Sequence, residues 1–147
     1  MNRKKLMIFL PMVALFVAAL ACGGSNPVTM TDLPVVESAV KVEAGQSTMA
    51  DVVVEALKES VGQEGVTAET AMYSLPADTS WDTIKRFYTS NLGSDWTEDA
   101  ALSETQEGFT SSGWTRGSFA SKQALVIALV DDPFAEQRFL VVVLFSE

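Results

Sequence analysis

Two segments near the end of the chain are apolar at every position, residues 124–130 and residues 139–145. A strand with one face in water alternates apolar and polar residues, whereas a strand buried on both faces does not. The pattern therefore predicts strands at residues 123–131 and 138–145, with both faces covered. Either one helix covers each face, or one face packs against a second copy of the chain or a partner.

Residues 49–61 have the spacing of an amphipathic helix, because Met49, Val53, Leu57 and Val61 recur at every fourth position. The preceding hydroxyl side chains, at positions 47 and 48, are both suitable N-caps. An acidic residue in the first turn, at position 51, favours the positive end of a helix dipole.

Residues 81–92 form the clearer helix, with Thr79 or Ser80 as the N-cap and Gly93 as the C-terminal cap. Its polar positions fall on the face opposite to its apolar positions, as expected for a helix packed on a sheet. The apolar face comprises Trp81, Ile84, Phe87, Tyr88 and Leu92.

Further strands are predicted at residues 34–43, 66–75, 96–102 and 109–119, separated by short turn-forming stretches. With the two apolar segments they give an antiparallel sheet of about five to six strands packed with two helices. We therefore predict one α+β domain over residues 34–147.

The first 21 residues have the layout of a signal peptide. Arg3, Lys4 and Lys5 precede an apolar run over residues 6–21. The run is shorter than the roughly 20 apolar residues that a transmembrane helix needs, and Pro11 weakens a helix there. An uncleaved membrane anchor is the alternative interpretation.

The segment Ala19-Leu20-Ala21-Cys22 resembles the lipobox of bacterial lipoproteins, although Leu20 stands one position later than in the common order. The resemblance implies a diacylglyceryl group on the thiol of Cys22 and cleavage just before it. The protein would then be anchored outside the cytoplasm, with residues 22–33 as a flexible tether of up to ~35 Å. Alternatively, an ordinary signal peptidase cuts after Ala21 and leaves a soluble protein with a free thiol.

Removing the leader makes the chain strongly acidic. The leader contains three of the ten Lys and Arg residues and none of the nineteen Asp and Glu residues, so the mature chain has seven basic and nineteen acidic side chains and a net charge of −12. Such a surface repels phosphate backbones, so we expect no nucleic-acid partner. It also disfavours adsorption to anionic lipid, so membrane attachment depends on the acyl chains at Cys22.

The residue types restrict the chemistry. The chain contains no histidine, and its one cysteine is Cys22, so histidine-based catalysis and most zinc or copper sites are excluded, and we predict no metal or cofactor. Two acidic pairs, Glu98 with Asp99 and Asp131 with Asp132, could serve as an acid and a base or bind Ca²⁺. We favour charges at solvated turns or edges, because adjacent strand residues point to opposite faces.

Trp114 and Arg116 are the candidate binding residues. They lie two positions apart in a Gly-, Ser- and Thr-rich stretch, on the same side of the predicted strand. Arg116 could stack on Trp114 or pair with an acid, and Trp114 could contact a sugar or a peptide. Trp81, Trp96, Tyr73 and Tyr88 could line a groove with Trp114, but core packing is the simpler explanation for Phe87, Tyr88 and Trp96.

The string from Tyr73 to Asp82, followed by Phe87-Tyr88 and Trp96, resembles a pattern of uncharacterised exported bacterial lipoproteins, which implies a small sheet-and-helix module and no catalytic residue. Together these features predict a lipid-anchored, non-enzymatic binding or accessory domain with a protein or cell-envelope partner. A carboxylate-dependent hydrolase, with a buried carboxyl group of raised pKa, is the alternative. A purely structural module, lacking pockets and surface aromatics, is another, and self-association remains open.

Overall fold

Six antiparallel strands form one sheet in the computed structural model, which describes residues 26–61, 64–117 and 122–147. The spatial order is β1-β2-β6-β5-β4-β3, so β5 and β6 are central. The predicted signal peptide and Cys22 lie outside the described residues. The strands are β1 (Val40–Val42), β2 (Thr67–Leu75), β3 (Thr97–Gln106), β4 (Phe109–Arg116), β5 (Gln123–Asp131) and β6 (Arg138–Ser146).

One helix covers each face of this sheet, which confirms the predicted α+β class, the six strands and the two helices. Helix α1 (Thr48–Val61) packs on one face and helix α2 (Trp81–Asn91) on the other. Successive residues of β5 and β6 are therefore buried alternately under α1 and under α2. Within the described ranges, neither helix is long and apolar enough to cross a membrane.

Helix α1 contributes Ala50, Val53 and Leu57 to the first face, where they pack with Phe139 and other apolar side chains of β5 and β6. Met49, the first residue of the predicted stripe, is only partly buried. Ser47 caps the helix, because its hydroxyl oxygen accepts a bond from the backbone N–H of Ala50 at 3.1 Å.

Helix α2 and an N-terminal segment share the second face. Ile84 and Tyr88 are fully buried, and the Tyr88 ring centroid lies 6.3 Å from that of Trp114. Beside the helix, residues 26–33 lie against the sheet with Leu33 buried. We call residues 26–33 the N-terminal strap.

The strap corrects the predicted tether. Residues 22–33 were expected to be flexible, but the described part, from Asn26, is fixed to the domain. It contains a 3₁₀ turn, Met30–Asp32, in which the carboxylate of Asp32 accepts bonds from the backbone N–H (2.8 Å) and the hydroxyl (2.7 Å) of Thr29. Residues 26–33 therefore belong to the domain rather than to a flexible tether.

The first strand is shorter than predicted. It contains only Val40–Val42 instead of residues 34–43, because the backbone N–H of Ala39 bonds to the C=O of Val36 and closes a turn just before it. The end of α2 also differs. Leu92 is extended there and Gly93 lacks a positive φ, so the predicted cap at Gly93 is wrong.

The edge strand β3 is longer than predicted and contains a bulge between Asp99 and Glu104. Within the bulge, Leu102 folds over Gly113 of β4 so closely that a Cβ atom at position 113 would overlap it. The irregular backbone interrupts an edge that would otherwise be open to pairing with another strand. Strand β4 is Phe109–Arg116, and Gly117 after it has a positive φ; residues 118 and 119 of the predicted strand lie outside the described residues.

Phe139→Ala tests whether the fold depends on the buried face under α1. Because Phe139 is fully buried there, we expect a loss of about 3–5 kcal/mol in the free energy of unfolding. Phe134→Ala, in the preceding loop, is the matched control and should change it by less than about 0.5 kcal/mol, since that ring is exposed. Urea unfolding measures both, and equal losses would contradict this packing.

Candidate functional site

Trp114 is part of the core and is not available at the surface. Its side chain is 3% exposed and lies against Tyr88 on the face that α2 covers. The Gly-, Ser- and Thr-rich neighbours that suggested an exposed stretch belong to the buried part of β4. The predicted binding role of Trp114 therefore needs correction, because a ligand could not reach its ring.

Arg116 is buried as well, with 7% exposure, and it does not stack on Trp114. Its Nη2 forms an ion pair with Asp95 Oδ2 at 2.6 Å, and its guanidinium carbon lies 5.5 Å from the ring centroid of Trp96. The same Nη2 lies 3.5 Å from the backbone oxygen of Asn26 in the strap. A buried guanidinium needs such partners, so Arg116 acts in the structure as a fastening for the N-terminal strap.

Gln123 provides the second fastening. Its Oε1 accepts a bond from the backbone N–H of Val28 at 2.9 Å, and its Nε2 donates to the Val28 oxygen at 2.7 Å and to the Ser146 hydroxyl at 2.9 Å. Because Gln123 pairs with Arg116 in the β4–β5 register, both side chains lie at the same end of the sheet. We call Arg116 and Gln123 the clamp.

The acidic pairs do not form a carboxylate site. Glu98 is paired with Lys85 at 2.6 Å, and Asp131 with Arg138 at 2.7 Å. Asp99 accepts a bond from the backbone N–H of Ala101 at 3.0 Å. Among the described residues no Asp or Glu side chain is buried, and no three acidic residues are grouped as metal ligands. The described part of the chain thus lacks the buried carboxyl group on which the hydrolase hypothesis depended.

Asp132 instead organises the β5–β6 loop. Its Oδ2 accepts a bond from the hydroxyl of Ser47 at 2.5 Å, and its Oδ1 accepts one from the backbone N–H of Phe134 at 2.9 Å. These two bonds, the first more than the second, lower the pKa of the Asp132 carboxyl below its ordinary value of 3.8. The loop is therefore tied to the start of α1 by a charged group.

The loop holds a large apolar side chain in water. Phe134 is 98% exposed, and Val52 on the nearby outer face of α1 is 59% exposed. A groove of about 350 Å³ runs between the loop and the start of α1, with Met49, Pro133 and Ala135 among its lining residues. We call these five residues the Phe134 surface.

Sequence reasoning treated the turn after β5 as a simple connection and missed this surface. A signal was present, since an aromatic residue follows an Asp-Asp-Pro turn where small and polar residues are usual. What the sequence could not indicate was that Asp132 and Ser47, 85 positions apart, hold the loop against α1.

The Phe134 surface has an acidic margin. Asp51, Glu55 and Glu59 follow one another at four-residue intervals along α1, and Glu136 is exposed in the loop. Basic groups in this region are engaged, because Lys58 pairs with Glu55 at 2.9 Å and the nearby Arg138 with Asp131. The surface therefore combines exposed apolar side chains with negative charge.

Gln123→Ala tests the clamp. Removing the amide leaves the N–H and C=O of Val28 without their partner, so we expect a loss of about 1–3 kcal/mol of unfolding free energy and faster hydrogen exchange at the Val28 amide. Gln106→Ala, at an exposed end of β3, is the control and should leave both quantities nearly unchanged. If the exchange rate at Val28 stays the same in both variants, the strap is not held by Gln123.

Ser47→Ala should raise the pKa of Asp132, because it removes the hydroxyl that donates to the carboxylate. Since folding lowers this pKa, the bond stabilises the fold above the ordinary value of 3.8, and that stabilisation is lost as the pH falls through the lowered value. Carboxyl NMR shifts measured against pH report the change. Thr29→Ala is the control, since Thr29 bonds to Asp32, and a shift at Asp132 in that variant would contradict the assignment.

No protein-family model, no curated protein and no solved structure matches this chain. The resemblance to bacterial lipoproteins at Cys22 and from Tyr73 onward therefore stays a prediction from the sequence. The Phe134 surface is the candidate functional site on the basis of its own geometry.

Proposed function

We propose that the chain is a lipid-anchored extracytoplasmic protein whose single domain binds a partner, as an accessory factor rather than as an enzyme. The observation that carries the binding role is Phe134, a fully exposed aromatic side chain in a loop fixed by hydrogen bonds. A purely structural module would be expected to lack such a surface aromatic, since exposing a Phe forgoes about 1.5–3 kcal/mol of hydrophobic stabilisation.

The clamp supports the anchoring role. Asn26 lies four positions after Cys22, and four extended residues span at most about 14 Å. Because Arg116 and Gln123 fasten the chain from Asn26 onward, an acylated Cys22 would hold that end of the sheet close to the lipid. Flexible attachment over the whole of residues 22–33 would not fix an orientation in this way.

The same arrangement would present the Phe134 surface away from the membrane. The clamp lies where β5 begins, and the β5–β6 loop follows the other end of the same strand, at Asp131. Nine residues of strand separate the two ends by about 27 Å. A lipoprotein held in this manner would offer its exposed aromatic side chain to proteins in the extracytoplasmic space.

The anchor is tested by the intact mass and the location of the full-length product. We expect membrane-bound protein that begins at Cys22 and carries added acyl mass. The Cys22→Ser variant should carry no acyl group, and no chain cleaved just before position 22 should be found. An unmodified chain that begins at Cys22 in the soluble fraction would contradict the lipoprotein assignment. Retention of residues 1–21 would instead indicate an uncleaved anchor.

A further inference from the structure

We propose that the Phe134 surface docks a protein partner that has an apolar pocket surrounded by basic side chains. The proposal rests on the binding role proposed above and specifies the chemistry of the partner. Phe134 would enter the pocket, and the acidic residues around it would face the basic rim.

The loop is preorganised for this role. The carboxylate of Asp132 accepts hydrogen bonds from the backbone N–H of Phe134 and from the hydroxyl of Ser47. The backbone N–H of Ala135 donates to the C=O of Asp132 at 3.1 Å. At the base of the loop, Arg138 Nε pairs with Asp131 at 2.7 Å. A loop held in this way loses little conformational freedom on binding, which favours affinity.

Phe134 has the properties of a side chain at the centre of a protein interface. Aromatic residues, including Phe, are enriched in the cores of protein interfaces, which a polar rim surrounds. Phe134 projects fully into solvent beside the groove, and Val52 extends the apolar area along α1. A partner that covers both would bury the exposed apolar area of the two side chains.

The charge around this surface favours a basic protein over a second copy of the chain or anionic lipid. Asp51, Glu55 and Glu59 lie beside Val52 on α1, where Glu55 is paired with Lys58, and Glu136 follows Ala135 in the loop. The mature chain as a whole has a net charge of −12. A second copy would bring the same acidic margin against itself, and anionic lipid would be repelled. A basic protein surface is the complementary partner, and its association should weaken as salt rises.

The test places a photoreactive phenylalanine analogue, benzoylphenylalanine, at position 134 or 52 of the full-length chain in its native cells. Thr97, exposed at the other end of the sheet, is the control position. We expect an adduct with one protein at positions 134 and 52 and none at position 97. An adduct with a second copy or with lipid, or no adduct above the control, would overturn the proposal.

The identified protein, once purified, is then titrated against the variants. Phe134→Ser should weaken binding at least tenfold with an unchanged melting temperature, whereas Val40→Ser, at another exposed apolar position, should not. Glu136→Lys should weaken binding severalfold and reduce its salt dependence, in contrast to Glu64→Lys. Binding that is indifferent to Phe134→Ser or to salt would overturn the proposed chemistry.

The same samples separate this proposal from the anchoring proposal. An adduct at position 134 on a protein without acyl mass would support the docking surface and contradict the lipid anchor. Acylated protein without an adduct would support the anchor and overturn the docking surface.

Discussion

The central strands β5 and β6 carry apolar side chains on both faces, and the rest of the structure depends on covering them. Each large apolar residue that is removed from water contributes about 1.5–3 kcal/mol, so leaving either face open would cost far more than a small domain can lose. One 14-residue helix covers the first face. The second face receives the shorter, 11-residue α2 and, beside it, the N-terminal strap.

The N-terminal strap completes the cover of this second face, and this explains why residues without any periodic pattern are ordered. Leu33 and the half-buried Val28 and Met30 complete the core next to α2, while the backbone of the strap bonds to Gln123. The buried Arg116 is acceptable because Asp95, Trp96 and a strap carbonyl surround it. The contacts that complete the core next to α2 are thus the same contacts that hold the N-terminal strap in place.

The elements that could be predicted from sequence are those with strong local patterns. The bounds of β5 and the start of α2 were predicted without error, and the end of α2 was predicted one residue too late. These elements are predictable because burial on two faces and helical amphipathicity produce patterns among neighbouring residues. The strap was missed because its order depends on Gln123, 95 positions beyond Val28. Trp114 was a candidate binding residue because it lies in a stretch rich in Gly, Ser and Thr, whereas the structure uses Gly113 in that stretch to admit Leu102.

The Phe134 surface differs from the core in what fixes it. The hydrogen bonds of Asp132 and the ion pair of Arg138 hold the loop in shape, yet the ring that they position makes no contribution to burial. A polar residue at position 134 would allow the same fold, since the turn uses only the backbone N–H of that residue. The loop therefore uses defined polar contacts to hold an aromatic ring in water, and the proposed binding role rests on this feature. This is the physical reason for proposing the loop as the binding site, since Trp114 and Arg116 are buried.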